Sequence, residues 1–152
     1  MTAPELRFAF ELEGQVGRPV DIGLTGAGRR RMIPIQGGRF HGPKLSGRIL
    51  EGGADWQIVY ADGSAELDAR YVLETESGAL IYVMNRGMRR GPPEILERLN
   101  RGENVDPEAY YFRTSPSFET AAPEFQWLAR SVFVGVGERY PDKVVVRFWQ
   151  VM

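Results

Sequence analysis

The stretch Gly52–Thr75, GGADWQIVYADGSAELDARYVLET, constrains the fold more than any other part of the chain. Asp62-Gly63 at its middle is the signal for a tight hairpin turn, and the flanking residues keep the period of two that belongs to a strand. In the second arm Leu67, Ala69, Tyr71, Leu73 and Thr75 fall on one face, and Asp68, Arg70, Val72 and Glu74 on the other. In the first arm Ala54, Trp56, Ile58 and Tyr60 oppose Asp55, Gln57 and Val59, so cross-strand pairing can extend both faces. An antiparallel sheet that buries one side leaves its charged set in solvent, which is the plainer account of these charges. The functional account brings Asp55, Arg70 and Glu74 to a pocket rim, where an arginine between carboxylates holds them ionised or orients a substrate oxygen.

The same alternation recurs along the chain. It predicts strands over Leu6–Leu12, Pro19–Leu24, Met32–Ile35, Ala79–Asn85, Tyr110–Thr114, Val132–Gly137 and Val144–Val151. Gly37-Gly38 and Ser77-Gly78 read as turns, and Pro34 is confined to an edge or a bulge. One helix stands out, Glu94–Arg101, with Pro93 near its start, Gly102 as its stop, and Ile95, Leu96 and Leu99 in a single stripe. It is expected over one opening of the sheet or outside its wall. Glu124–Leu128, with Phe125 and Trp127, reads as an aromatic lid or plug. Roughly seven to nine short strands with one or two short helices predict a mainly β chain, a single antiparallel β-barrel domain over residues 1–152 whose mouth holds one ligand.

Composition narrows the chemistry. A chain of 152 residues with no cysteine has no disulfide, iron–sulfur cluster or thiol nucleophile, and a single histidine, His41, makes a zinc centre an unpromising reading. No cofactor and no metal are therefore expected. The formal charge of -1 argues against general nucleic-acid binding, despite Arg29-Arg30-Arg31. The glycines of Gly42–Gly47 match neither a phosphate loop nor a dinucleotide fingerprint. Acidic residues within the first apolar stretch do not suit a signal peptide, and no apolar run approaches a membrane span, so a soluble cytoplasmic protein is the expectation. The expected partner is a small-molecule ligand, and self-association into a homo-oligomer is compatible with the sequence.

Candidate site residues follow from residue type and strand position. Asp55 or Glu74 would serve as base and Tyr111 as acid, because a neighbouring cation such as Arg113 favours the phenolate. Packing of Tyr111 under Arg113 is the structural alternative. Arg70 and Arg113 would anchor a developing oxyanion, and Trp56 and Tyr71 would form an aromatic wall. Asn85, at a strand end, could donate to a substrate carbonyl or cap the strand, and Arg31 could turn toward a carboxylate ligand.

The segments RRRMIPI, HGPKLSG, GGADW, LDARYVLET and YYFRTSPSFET, with Asn85 and Trp127-Leu128, resemble a family of small bacterial and fungal proteins known as domain of unknown function thirty-two thirty-seven, also uncharacterised protein family three-eleven. The resemblance covers nearly the whole chain. It implies a closed or nearly closed antiparallel barrel similar to the allene oxide cyclase and lipocalin-like barrels, with some relatives acting as cofactor-free cyclases in natural-product pathways and most members having no assigned activity. Two functions are consistent with the residues and this resemblance. One is a cofactor-independent acid–base enzyme of cyclase, isomerase or hydro-lyase type, acting on a small oxygenated organic substrate. The other is a binding or carrier protein for a small aromatic or lipophilic ligand.

Overall fold

The computed structural model describes residues 1–152 and consists mainly of antiparallel strands. These are β1 (Leu6–Val16), β2 (Val20–Thr25), β3 (Gly28–His41), β4 (Ser46–Ile49), β5 (Gly53–Val59), β6 (Ala65–Thr75), β7 (Leu80–Arg90), β8 (Tyr111–Thr120), β9 (Val132–Arg139) and β10 (Lys143–Val151), with helices α1 (Pro93–Asn100) and α2 (Gln126–Ala129). The sheet runs β1-β10-β9-β8-β7-β6, then through β4 and β5 to β3, and closes where β3 pairs β1. Because β4 and β5 lie end to end between β3 and β6, the result is a closed barrel of eight staves. Closure removes the exposed strand edges that an open sheet of this size would carry, leaving only β2 as an outlying flap on β3. The expected barrel is thus the observed one.

Three sequence readings change. Asn85 does not end a strand, because β7 continues through it to Arg90. Gly37-Gly38 does not turn the chain; β3 passes through both, with φ of 116° and 142°, and bends so that Arg29–Ile35 pair β5 while Gly38–His41 pair β4. Only glycine takes such angles without strain, so the pair works as a corner inside one long strand. The first arm of the Asp62-Gly63 hairpin also buries the opposite face from an ordinary amphipathic strand. Gln57 is 1% exposed whereas Trp56 is 43% exposed, so the polar set Asp55 and Gln57 looks inward. Asp55 pairs Ala69 across the hairpin, on the same inward face as Tyr71 and Leu73. Pro34 sits where the outer edge of β3 passes from β2 to β1, a gap in the ladder that tolerates its missing N–H.

Both ends of the barrel are plugged. At one end the short segment Pro123–Ala129 drives Phe125 and Leu128 into a cluster with Phe10, Phe40, Phe118, Phe133 and Phe148. Their rings meet at 5.0–6.0 Å in tilted and edge-on contacts, the geometry that adds to simple burial. At the other end α1 lays Leu96 and Leu99 over Ala65, Leu67, Val105, Tyr110 and Phe112. The helix begins at Pro93 and ends as its stripe runs out, with the Arg101 and Gly102 amides returning to Glu97 O and Leu99 O. Between these two apolar clusters lies a polar layer. No helix in the protein is long and apolar enough to cross a membrane.

Candidate functional site

The polar layer is built by inward positions of β3, β5, β6, β7, β8 and β9. Asp55 is its centre: its Oδ2 accepts from Gln57 Nε2 at 2.7 Å and its Oδ1 from the Asp68 backbone N–H at 3.0 Å. Gln57 Oε1 in turn accepts from Arg31 Nε at 3.1 Å and Nη2 at 2.6 Å. Burial drives the Asp55 carboxyl above its ordinary value, and the bonds from Gln57 and Asp68 and the charges of Arg89 and Arg31 only partly oppose that. The residue is half-buried and lines a small cavity.

That cavity has a volume of about 60 Å³ and apolar walls from Leu12, Ile35, Ile49, Leu67, Phe112 and Val146. Asp55, Tyr71, Asn85 and Thr114 supply its polar groups. Three of these have no partner: Tyr71 Oη, Asn85 Oδ1 and Thr114 Oγ1 are buried and make no hydrogen bond. Buried polar atoms are nearly always paired, and each orphan costs about 1–3 kcal/mol. Three such atoms face the same cavity. Burial and the Asp55 charge both raise the Tyr71 phenol, so it remains a protonated donor rather than a base.

The residues singled out from sequence divide between two places. Asp55, Tyr71 and Asn85 meet in the cavity, and Arg31 reaches it through Gln57. Glu74 and Arg70 lie on the outer wall, paired with Arg48 at 2.9 Å and Asp68 at 3.3 Å. Trp56, Tyr111 and Arg113 line a broad groove on the outside of the barrel, about 1210 Å³ in volume, with Met88, Val134 and Trp149. There Tyr111 is sandwiched by Arg90 and Arg113, whose guanidinium carbons stand 4.6 and 5.2 Å from its ring centroid. This groove is the larger concavity, but it is open and its walls leave no buried group unsatisfied apart from Thr114 Oγ1, which it shares with the cavity. The smaller cavity therefore carries the stronger claim to chemistry. Leu67 and Thr114, which both pair Gly87 of β7, line both, and the hydrogen-bonded sheet they belong to separates the two spaces.

Sequence reasoning missed Gln57, Arg89, Thr114 and Arg139, which belong to the same layer. Arg89 is 2% exposed and Arg139 8%, and nothing in a charged residue at the end of a strand announces burial. Period two was the available signal: Asn85, Gly87 and Arg89 share the face of Ile81 and Val83. No three His, Cys, Asp or Glu side chains converge anywhere in the protein.

Comparison with known proteins places this geometry in context. A family model described as "Protein of unknown function (DUF3237)" matches residues 4–151. The UPF0311 protein RPA1785 of Rhodopseudomonas palustris is 45% identical over 148 residues, 97% of each chain. Its crystal structure, described as that of a conserved protein of unknown function, superposes with a TM-score of 0.93, covering 100% of this chain and 99% of that one at 43% identity. A beta-barrel like protein from Acinetobacter baumannii matches at a TM-score of 0.87 and 41% identity, covering 100% and 98%. An enzyme from Penicillium herquei has the same fold at a TM-score of 0.73 and 21% identity, covering 100% and 97%.

Proposed function

The chain belongs to the DUF3237 family of proteins of unknown function, and from that membership and the barrel's polar layer we propose that it is an acid–base enzyme acting on a small oxygenated organic molecule inside the barrel. The observation that carries the reading is the convergence of one desolvated carboxyl and three unpartnered polar groups on a single cavity. Asp55 takes or gives the proton, because a carboxyl raised toward the working pH combines an available base with a useful conjugate acid. Tyr71, held protonated, donates to a substrate oxygen on which charge develops, and the orphan Asn85 Oδ1 accepts from a substrate hydroxyl. Gln57 and the Asp68 amide hold the carboxylate still while leaving lone pairs free toward the cavity. Cyclisation, isomerisation and addition of water or an alcohol to a double bond are the reactions such groups perform unaided.

The cavity admits a small molecule or the reacting end of a larger one. The Penicillium herquei protein with the same barrel is described as an enzyme, which is in keeping with this reading. The apolar walls favour a second reading, a carrier in which the same groups only orient a small aromatic ligand.

Thermal-shift screening of phenols, enols, carboxylates and amines tests the pocket. Phenols and enols should stabilise the protein, and Tyr71→Phe and Asn85→Leu should weaken that stabilisation. A preference for amines, or shifts unaffected by either substitution, would sink the assignment.

A further inference from the structure

We propose that the barrel mouth beneath the C-terminal end of α1 is a binding site for a phosphate dianion. A recess of about 100 Å³ opens there, lined by Arg31, Arg89, Arg139, Asn100 and Arg101. None of the first three has a carboxylate within salt-bridge distance, whereas Arg101 at the rim is paired with Glu97 and Glu103 at 2.7 Å each. Arg89 is 2% exposed, and its Nε has no partner; its one side-chain bond runs from Nη2 to Asn100 Oδ1 at 3.1 Å. Arg31 Nη2 shares that acceptor at 3.4 Å, and Arg139 Nη1 donates to the carbonyls of Tyr140 and Lys143. Burial and the repulsion of Arg31 push the Arg89 guanidinium down to about 10, and burial and the same neighbour lower Arg139.

Charge arithmetic favours a dianion. Buried Arg89 and Arg139 and half-buried Arg31 face one carboxyl, Asp55, a net of two positive charges with Asp55 ionised and three with it protonated, while Arg101 at the rim is already paired with Glu97 and Glu103 and adds none. Asp142 acts on Arg139, and Asp21 acts on Arg31 although it is bonded to Arg29. The carbonyl end of α1 offsets roughly half a charge, and the Phe112 ring, 6.0 Å from the Arg89 guanidinium carbon, offers a weak additional contact. These neighbours soften the excess without cancelling it. An unpaired buried charge is strongly unfavourable, and guanidinium groups match phosphate oxygens in forked geometry, so a phosphate group would relieve the site. The inference stands apart from the chemistry assigned to Asp55.

Thermal denaturation in inorganic phosphate, phenyl phosphate, acetate and chloride at equal ionic strength tests it. Phosphate, free or as the ester, should raise the melting temperature along a saturable curve, with acetate and chloride much weaker. The stronger of the two phosphate arms tells free phosphate from a phosphorylated molecule. Arg89→Gln and Arg139→Gln should each weaken the apparent affinity by roughly tenfold or more. Arg89→Gln should fold at least as well as the unliganded parent, since it removes an unpaired buried charge. A phosphate effect that grows without saturation, persists in both variants, or is equalled by acetate would overturn the proposal.

Discussion

Gln57 and Asp55 face the barrel interior together from β5, and the Gln57 amide donates to the Asp55 carboxylate at 2.7 Å while its carbonyl accepts from Arg31 at 2.6 Å. One neutral side chain thus links a cationic mouth to a desolvated acid, and it holds Asp55 lower than burial alone would. Gln57→Leu should raise the Asp55 titration further, read by carboxyl-carbon NMR. It should also cost about 1–3 kcal/mol in denaturant unfolding through the partners it strands. An Asp55 titration that stays put would show that the bond does not govern it.

The raised Asp55 carboxyl has a definite pH signature. Above the ordinary value of 3.8 the folded protein keeps a proton that the unfolded chain has released, so stability from this group falls as pH rises through the folded value. Asp55→Asn removes the titration. The stability of the parent relative to this variant, followed by urea unfolding from about pH 4 to about pH 8, should therefore decline with pH. A rising difference would mean that the carboxylate is stabilised in its charged form.

Gly135 lies opposite Thr114, and a Cβ there would stand 2.2 Å from Thr114 Oγ1 and 3.0 Å from the Phe148 ring. Gly135→Ala should cost about 1–3 kcal/mol by overpacking the cavity wall. Gly26→Ala, at a turn with nothing within 4 Å, should leave the melting temperature nearly unchanged. Equal effects of the two would argue against so tight a wall.

The barrel was legible because strand period and turn residues survive closure: Leu67, Tyr71 and Leu73 are buried as their alternation requires. The inward face of β5 was not, since Ala54, Trp56, Ile58 and Tyr60 form the more apolar set, yet closure directs Asp55 and Gln57 inward. Local hydrophobicity ranks faces, whereas register with β6 decides them. For the same reason Glu74 and Tyr111 were drawn toward the site by chemical type, although one pairs with Arg48 outside and the other stacks between arginines in the outer groove. The burial of Arg89 and Arg139 is not legible locally, because the recess they share is completed by α1 and by β3, far away in sequence.

The outer positions offer a further separation of surface from site. Glu74→Gln and Tyr111→Phe remove one ion pair and one hydroxyl from the wall. Both should leave binding of a cavity ligand, measured by calorimetry, close to that of the parent. A large loss in Tyr111→Phe would move the site to the outer groove.

Proton transfer by Asp55 is tested most directly by following solvent deuterium into an enolisable ketone that binds the protein, by NMR, for the parent and Asp55→Asn. The account predicts catalysed exchange that falls by roughly 10²–10⁴-fold in the variant, with ligand affinity little changed. Exchange at the uncatalysed rate in the parent, or equal exchange in both proteins, would contradict it.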